Sequence, residues 1–293
     1  MNGVIVVDKP GGMTSHDVVN RVRRVLGQKA VGHLGTLDPM ATGVLPIVTG
    51  KLTRLAQFYA KSEKAYEGEI RFGFATDTYD AEGEPVTTAQ VVNLERGQVD
   101  AVAAEFRGVI QQMPPSYSAK KIAGVPAYKL ARKDKEVELK AVQVEVKELE
   151  ILSVESERAR FRARVSSGTY LRSIAHEMGQ RLGCGAHLSA LRRTAVAEFT
   201  LADAVALGDL AEAAEAGEIE RCLIHPRKLL PDLPAVTADE TVVGLIRSGR
   251  SVNLPELSSA RTVKVFQGQR ELIAIATRIA GSLFHAGIVL MDG

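Results

Sequence analysis

A run of three glycines and two prolines between residues 32 and 46 rules out a continuous helix there and surrounds a single carboxylate, Asp38. Pro39 disfavours helical backbone angles at Asp38, while Gly35 and Gly43 permit turns or a close backbone approach that a side chain would block. The alternative is an aspartate that caps a short helix with Pro39 at its first position. We expect an irregular loop, because the glycine and proline that follow leave no room for such a helix. Loops of this kind are typical of functional sites.

The chain has 293 residues, 45% hydrophobic and 25% charged, enough for one large domain with an appendage or for two domains. Its two cysteines, Cys184 and Cys222, lack metal-ligand spacing, so we expect neither a disulfide framework nor a structural metal site. No apolar run approaches the roughly 20 residues of a membrane span, and no signal-peptide pattern follows Met1. We therefore expect a cytoplasmic protein that does not associate with membranes.

The net charge of +2 conceals a strong segregation of charge along the chain. Residues 1–61 carry eight Lys or Arg against three acids, residues 116–133 five against none, and residues 158–193 eight against one. Residues 194–220 carry seven acids and no base. A single charged run is typical of a solvated surface, but three separate basic segments indicate a polyanionic partner such as a nucleic acid.

Apolar periodicity predicts helices and strands in a mixed order. A helix opens at Ser15 and ends before Gly27, and another follows the turn at residues 166–169 and closes at Gly183. A third helix is expected around residues 98–106, and strands are expected at residues 4–7, 66–74, 142–152 and 158–165. The last strand places four arginines on one face, which must see solvent or phosphate: Arg158, Arg160, Arg162 and Arg164.

Residues 113–141, which we call the basic segment, combine prolines, an isolated glycine and many lysines and would make a poor core. A loop of this length in a compact domain is usually functional or disordered. Pro226, Pro231 and Pro234 then mark a linker. Beyond it we expect a helix at Asp239–Arg247 and strands near residues 263–266, 271–276 and 287–290.

The loop motif from Gly32 through Leu37-Asp38-Pro39 to Pro46 resembles the catalytic motif of the bacterial tRNA pseudouridine-55 synthases, the TruB family. The resemblance continues in the family's order at residues 9–15, 114–120, 167–172 and 183–187. It implies an α/β (α+β) catalytic domain over residues 1–232, with a mixed, mostly antiparallel sheet and flanking helices. It also implies that the basic segment is a thumb that closes over RNA. Residues 235–293 resemble the small β-rich, PUA-like RNA-binding domain that often follows such domains; the alternative is a β appendage that only packs against the catalytic domain.

The resemblance also assigns a role to each candidate site residue. It implies that Asp38 is the catalytic nucleophile, Arg172 its partner, Tyr66 the ring against the target base and His33 an RNA contact near the flipped base. Tyr170 and Leu191 match positions lining that pocket. The expected phosphate contacts of the basic segment are Lys120, Lys121, Lys129, Arg132 and Lys133.

The implied reaction isomerises the T-loop uridine at position 55 of tRNA to pseudouridine, by base flipping and Asp-dependent cleavage and re-formation of the base-sugar link as a C–C bond. No metal, organic cofactor or obligate protein partner is implied, and the expected partner is the T stem-loop of tRNA.

Two alternatives stay open. One is a guide-RNA-dependent relative from ribonucleoprotein particles, which the basic segment argues against because such relatives largely lack it. The other is a non-catalytic tRNA-folding chaperone. Taken singly, Arg172 could pair with a surface acid, Tyr66 could be a structural strand aromatic, and His33 could be an exposed loop residue.

Overall fold

The computed structural model describes residues 1–117, 121–122, 125–126, 140–255 and 258–291. Both cysteines are free and buried. The α-helices among the described residues are α1 Ser15–Leu26, α2 Ala56–Tyr59, α3 Arg96–Ala104, α4 Leu171–Arg181, α5 Leu207–Glu215 and α6 Glu240–Arg247. Short 3₁₀ turns lie at Gly50–Leu55, Leu201–Asp203, Ile219–Cys222 and Pro226–Lys228.

A ten-stranded sheet forms the centre of the molecule. Including a two-stranded hairpin, β6 and β7, the strands up to residue 205 are β1 Gly3–Lys9, β2 Val31–His33, β3 Thr42–Thr49, β4 Lys64–Phe72, β5 Gly108–Gln112, β6 Lys121–Ile122, β7 Val125–Pro126, β8 Val142–Glu155, β9 Arg158–Val165, β10 Ala186–Val196, β11 Phe199–Thr200 and β12 Ala204–Val205. The sheet order is β12-β1-β3-β10-β4-β9-β8-β5, with β2 on β3 and β11 on β10. Within this sheet, only the β1–β12 and β3–β10 pairs are parallel among the described strands, so the predicted mixed, mostly antiparallel sheet is confirmed.

A separate five-stranded sheet lies in the C-terminal part of the chain. Its strands are β13 Ala235–Ala238, β14 Val252–Asn253, β15 Thr262–Gln267, β16 Glu271–Ala280 and β17 Leu283–Val289. Their order is β13-β15-β16-β17-β14. The predicted helix and three strands of this β-rich unit are therefore confirmed, with the last strand beginning four residues earlier than expected.

Helix α1 shows how local sequence fixes an element. Thr14 accepts the backbone N–H of Asp17, and the Asp17 carboxylate accepts the N–H of Thr14, which forms a capping box. Val18 and Val22 are buried on one face of the helix, and Gly27 ends it in the left-handed conformation at φ 59°. The helix thereby directs its N-terminus toward the loop that carries Asp38, which Ser15 contacts.

Strand β9 alternates between exposed arginines and buried apolar residues, as predicted. Glutamates on the two flanking strands pair with part of this arginine face. Arg158 pairs with Glu69 on β4, and Arg162 lies 3.9 Å from Glu67 on β4 and 3.6 Å from Glu150 on β8. The face is therefore a solvent-exposed ion-pair ladder, and exposed pairs of this kind stabilise a fold only slightly.

Two central strands, β3 and β10, were not predicted. Strand β3 begins at Thr42, so Gly43 and Pro46 lie in a strand instead of the irregular loop expected there. Strand β10 lies between β3 and β4 and joins the two halves of the sheet.

Apolar clusters cover both faces of the large sheet. One cluster packs α1, α4 and α3 against it. On the other face, Val6 and Val48 join Phe266 and Leu290 in a second cluster, so the C-terminal sheet packs directly on the large one. Within the part of the chain that the structure describes, no helix combines the length and apolar character needed to span a membrane.

Candidate active site

The segment between β2 and β3 that carries Asp38 is irregular and contains no helix. Its position is set by Ser15 at the start of α1: the Ser15 hydroxyl donates to the Leu37 carbonyl at 3.1 Å and accepts the Leu37 N–H at 2.8 Å. The Ala41 N–H donates to the Asp38 carbonyl at 3.1 Å and closes a turn. The predicted irregular loop is confirmed for residues 34–41, and the helix-capping alternative for Asp38 is wrong.

Lys9 supports the same loop from β1. Its side chain is fully buried, and its ammonium donates to the carbonyls of Pro10, Pro39 and Ala41 at 2.8, 3.0 and 2.6 Å. Burial lowers the pKa of Lys9 to about 8. The three carbonyls compensate the buried ammonium and fix the backbone on the C-terminal side of Asp38.

Arg193 fastens the loop to β10. It is fully buried and donates to the carbonyls of Val44, Thr36 and Gly35 at 2.8, 3.2 and 3.0 Å. Gly43 pairs with Arg193 in the parallel β3–β10 contact, and a Cβ there would lie 2.2 Å from the Arg193 carbonyl oxygen. The close backbone approach expected at Gly43 is therefore confirmed.

The Arg172 guanidinium, near the N-terminus of α4, connects two carboxylates. Its Nε lies 2.9 Å from Asp38 Oδ2, its Nη2 donates to Asp38 Oδ1 at 3.1 Å, and its Nη1 lies 3.3 Å from Asp80 Oδ2. Nη1 also donates to the Thr78 carbonyl at 3.1 Å and Nη2 to the Tyr117 carbonyl at 3.0 Å. Only 5% of Arg172 is exposed, whereas 35% of the Asp38 side chain is exposed, so Asp38 presents an accessible carboxylate on a fixed support.

The charges around Asp38 act in opposite directions on its protonation. Burial raises the pKa of Asp38 above its usual 3.8, the nearby Asp80 carboxylate adds to that rise, and the Arg172 guanidinium opposes it. Asp80 is held in turn by the Thr78 hydroxyl at 2.6 Å and the Glu82 N–H at 3.0 Å, both on its Oδ1.

A cavity of about 540 Å³ opens beside Asp38. It is lined by residues 35–38, 142–144 and 167–172 together with Lys64, Tyr66, Pro114 and Leu191. It therefore brings together five predicted site residues: Asp38, Tyr66, Tyr170, Arg172 and Leu191. Burial raises the pKa of Tyr66, so its phenol is neutral at physiological pH. The volume and the mix of apolar walls with a few polar groups suit one nucleotide base and its sugar.

The remaining predicted residues lie elsewhere. His33 is on β2, outside the described lining of the cavity, and its Nδ1 accepts the Gly35 N–H at 3.2 Å. Burial lowers the pKa of His33, which favours the neutral ring. Of the predicted phosphate contacts, Lys120, Lys129, Arg132 and Lys133 lie outside the described residues, and of Lys121 only its place in β6 is described.

Sequence reasoning missed three residues that hold or line this site. Asp80 was not among the predicted site residues, although it is the second carboxylate on Arg172. Arg193 counted as one charge in a basic run, yet it is buried. Lys64 lines the cavity, its Nζ donates to the Ser62 carbonyl at 2.9 Å, and burial lowers its pKa to about 8. An acid two residues after Thr78 is the only sequence signal for Asp80, and it also fits an ordinary turn.

Comparison with known proteins finds two matching family models. Residues 23–171 match the TruB family pseudouridylate synthase N-terminal domain, and residues 172–230 match the tRNA pseudouridylate synthase B C-terminal domain. The chain is 48% identical to the tRNA pseudouridine synthase B of Solibacter usitatus, over 99% of this chain and all of that protein. It is 39% identical to the protein of the same name from Bacillus cereus, over 94% of this chain and 92% of that protein.

Solved structures agree. A chain in "Structure of H/ACA RNP bound to a substrate RNA containing 2'-deoxyuridine" matches with a TM-score of 0.72 and 26% identity, and a chain in "Crystal Structure of a Cbf5-Nop10-Gar1 Complex" with 0.72 and 27%. Each match covers 99% of this chain and 85% of the other. The chain belongs to the TruB family of pseudouridylate synthases, and it is an isomerase that converts uridine in RNA into pseudouridine.

Proposed function

We propose that this chain isomerises the uridine at position 55 in the T-loop of tRNA, with Asp38 as the catalytic carboxylate. The observation that carries the proposal is the position of Asp38: an accessible carboxylate, held by buried Arg172, at the wall of a cavity sized for one nucleotide. The tRNA substrate is supported by relatives named tRNA pseudouridine synthase B at 39–48% identity.

The reaction needs no exchange of atoms with a second substrate. The N1–C1′ bond of uridine breaks, the detached base turns in the cavity, and its C5 bonds to C1′, while C5 loses a proton and N1 gains one. Asp38 faces the sugar carbon and stabilises or captures the positive charge that develops there. Arg172 keeps the carboxylate ionised and oriented.

The cavity walls retain the detached base. Tyr66 rises from β4 and provides an aromatic surface beneath the base, and Leu191 and Tyr170 close the other sides. Retention is essential because a released base would leave an abasic site. A uridine in a folded T-loop must first leave its stack, at a cost of a few kcal/mol, and we assign His33 on the neighbouring β2 to the RNA around the flipped base.

We extend the proposal to the organisation of the chain. Residues 1–232 act as the catalytic domain and the basic segment, 113–141, as a thumb over the RNA, with Lys120, Lys121, Lys129, Arg132 and Lys133 on phosphates. Residues 235–293 act as a PUA-like RNA-binding domain, which is supported by the separate sheet that begins at Ala235.

Guide-RNA-dependent action is the second candidate, because the structural matches include a chain from an H/ACA ribonucleoprotein. The identities favour the stand-alone enzyme: 39–48% to the bacterial tRNA enzymes against 26–27% to the ribonucleoprotein chains. We therefore propose that neither a guide RNA nor a protein partner is required.

The direct test is incubation of the purified chain with an unmodified tRNA transcript, without guide RNA, followed by carbodiimide adduct formation and reverse transcription. The expected result is a single new stop immediately 3′ of position 55, which reports pseudouridine at that position. A transcript with cytidine at that position is the control and should give none. Modification at another position, or only after a guide RNA is added, would contradict the proposed substrate.

A further inference from the structure

Gln112, the last residue of β5, makes a paired contact with the start of the helix that carries Arg172. Its side chain is 1% exposed. Its Nε2 donates to the Tyr170 carbonyl at 3.0 Å, and its Oε1 accepts the Tyr170 N–H at 2.8 Å. Tyr170 precedes α4 directly and lacks a side-chain cap bond of its own. The Gln112 carboxamide therefore bonds both the N–H and the carbonyl of Tyr170, as the backbone of a neighbouring strand would.

The contact continues along the next residues. The Ser173 hydroxyl donates to the Met113 carbonyl at 2.9 Å, and Arg172 Nη2 donates to the Tyr117 carbonyl at 3.0 Å. Residues 112, 113 and 117, at and after the end of β5, thus contact residues 170, 173 and 172 at the start of α4. Met113 and Tyr117 belong to the basic segment, residues 113–141.

We propose that Gln112 is a positioning residue for catalysis, which acts through the backbone of Tyr170 to hold Arg172 against Asp38. This inference rests on the proposed function of Asp38 and Arg172. Arg172 is two residues beyond Tyr170, so a shift at the start of α4 moves its guanidinium relative to Asp38. Contacts of about 3 Å lose most of their strength with small displacements, and misplacement of a catalytic group lowers rate more than binding.

Glutamine suits this role because the buried site needs one donor and one acceptor at fixed spacing. An ionised carboxylate in the same place accepts from the Tyr170 N–H but cannot donate to the Tyr170 carbonyl. A protonated carboxyl group can do both. Methionine, of similar length, can do neither. These three chemistries separate a positioning role from simple filling of space.

The experiment compares Gln112→Glu and Gln112→Met with wild type and with Gln111→Glu, a control at the adjacent exposed position of β5. Single-turnover pseudouridine formation at saturating tRNA, tRNA affinity and the thermal midpoint are measured from pH 5.5 to 8.5. At pH 8 we expect the rate constants of both Gln112 variants to fall roughly ten- to a hundredfold, with affinity within about twofold of wild type.

The decisive signature is the pH dependence. The ratio of the Gln112→Glu rate to the wild-type rate should rise toward one as pH falls, because protonation restores the donor to Tyr170. Arg172, Asp38 and Asp80 lie around this helix start in both proteins, so the variant rate is compared with the wild-type rate at each pH. Gln112→Met should show no such recovery, and Gln111→Glu should match wild type throughout.

Two results would overturn the inference. The first is a wild-type rate in both Gln112 variants at every pH. The second is a loss of rate that is the same at every pH and parallels the fall in the thermal midpoint. That pattern would mean that Gln112 only supports the fold. A wild-type protein that forms no pseudouridine in tRNA would instead refute the proposed function, so the two failures are distinguishable.

Discussion

At the scale of single residues, the buried guanidinium of Arg172 is shared between the carboxylates of Asp38 and Asp80. A buried cation is unfavourable unless it is paired and hydrogen-bonded. Here two carboxylates lie against the guanidinium, and its Nη atoms donate to two backbone carbonyls and to Asp38. Of the two acids, Asp38 is the exposed one. Asp80 therefore anchors the guanidinium, while the Asp38 carboxylate faces the cavity.

The first prediction concerns Asp80→Asn. The Asp80 charge raises the pKa of Asp38. Removing that charge lowers the pKa of Asp38, so the Asp38 carboxylate stays ionised to lower pH. The acid limb of the single-turnover rate should therefore move to lower pH. The plateau should fall roughly tenfold or more, because Arg172 loses one partner. The measurement is a rate–pH profile on tRNA.

Glu84→Gln is the matched control for this variant, because Glu84 is an exposed acid of the same turn. Its acid limb and plateau should equal those of wild type. An acid limb of Asp80→Asn that stays in place or moves to higher pH would contradict the assigned electrostatics.

At the scale of elements, the loop that carries Asp38 depends on the parallel contact between β3 and β10. Gly43 has φ 97° and lies against the Arg193 backbone, so Gly43→Ala adds both a backbone penalty and a clash. We expect a loss of about 2 to 4 kcal/mol in the free energy of unfolding, with a lower rate in the folded fraction. Urea unfolding monitored by circular dichroism measures it.

Gly208→Ala is the control for that measurement. Gly208 lies in α5, and a Cβ there would meet no atom within 4 Å. Alanine should keep or raise stability, by up to about 1 kcal/mol. Equal stability of the Gly43 and Gly208 variants would show that the β3–β10 contact is not the constraint described.

The next prediction concerns the basic segment. If Lys120 and Lys121 contact phosphate, each contributes a log-log salt slope of roughly −0.7 to −0.9 to tRNA affinity. Replacing both with Ala should weaken binding and flatten the slope by about one to two units, with a smaller effect on the rate at saturating tRNA. Filter binding from about 50 to 300 mM salt, roughly a sixfold range of ionic strength, measures the slope.

The double variant Arg96→Ala and Arg221→Ala is the charge-matched control, since both arginines are exposed and ion-paired. Its slope should equal that of wild type. The same slope in the lysine variant would remove these two residues from the RNA-binding surface.

Elements with a local signature could be predicted from sequence. Helix α1 has a cap, an apolar stripe and a terminal glycine, and β9 alternates strictly. Strand β10 has neither feature, because Arg192 and Arg193 interrupt its apolar pattern. Its buried Arg193 is tolerated only because carbonyls of a loop some 150 residues away satisfy it. Tertiary context of that kind leaves no trace in local periodicity.

The site residues also differ in whether the sequence alone could identify them. Asp38 is flanked by glycines and proline that mark a special backbone, so it could be identified from sequence. Asp80 and Gln112 act through contacts with residues on α4 that lie far away in the chain. Their turn and strand-end positions are equally common for residues without a catalytic role. Such partners become visible only when the fold brings them to the first turn of α4.

At the scale of the whole molecule, polar contacts reinforce the apolar docking of the C-terminal sheet. The Glu198 carboxylate accepts from the Tyr59 hydroxyl at 2.6 Å and from the Leu230 N–H at 2.9 Å. Lys264 of β15 is buried and donates to the Leu229 carbonyl at 2.7 Å. These groups fix the connection that enters the C-terminal unit.

Glu198→Ala should loosen this connection, because the Leu230 N–H loses its charged acceptor. We expect a loss of about 1 to 3 kcal/mol in the free energy of unfolding and faster proteolytic cleavage near residues 226–234. Glu198→Gln, which keeps an acceptor oxygen, should lose less. Unchanged stability and cleavage in Glu198→Ala would show that the apolar cluster alone holds the two sheets together.

The central claim is that Asp38 performs the chemistry while other parts of the chain supply RNA affinity. The most direct measurement compares wild type with Asp38→Asn in single-turnover pseudouridine formation and in equilibrium binding of the same tRNA transcript. We expect the rate constant to fall by at least about a thousandfold while the dissociation constant changes by less than about threefold. A rate for Asp38→Asn near that of wild type would contradict the account.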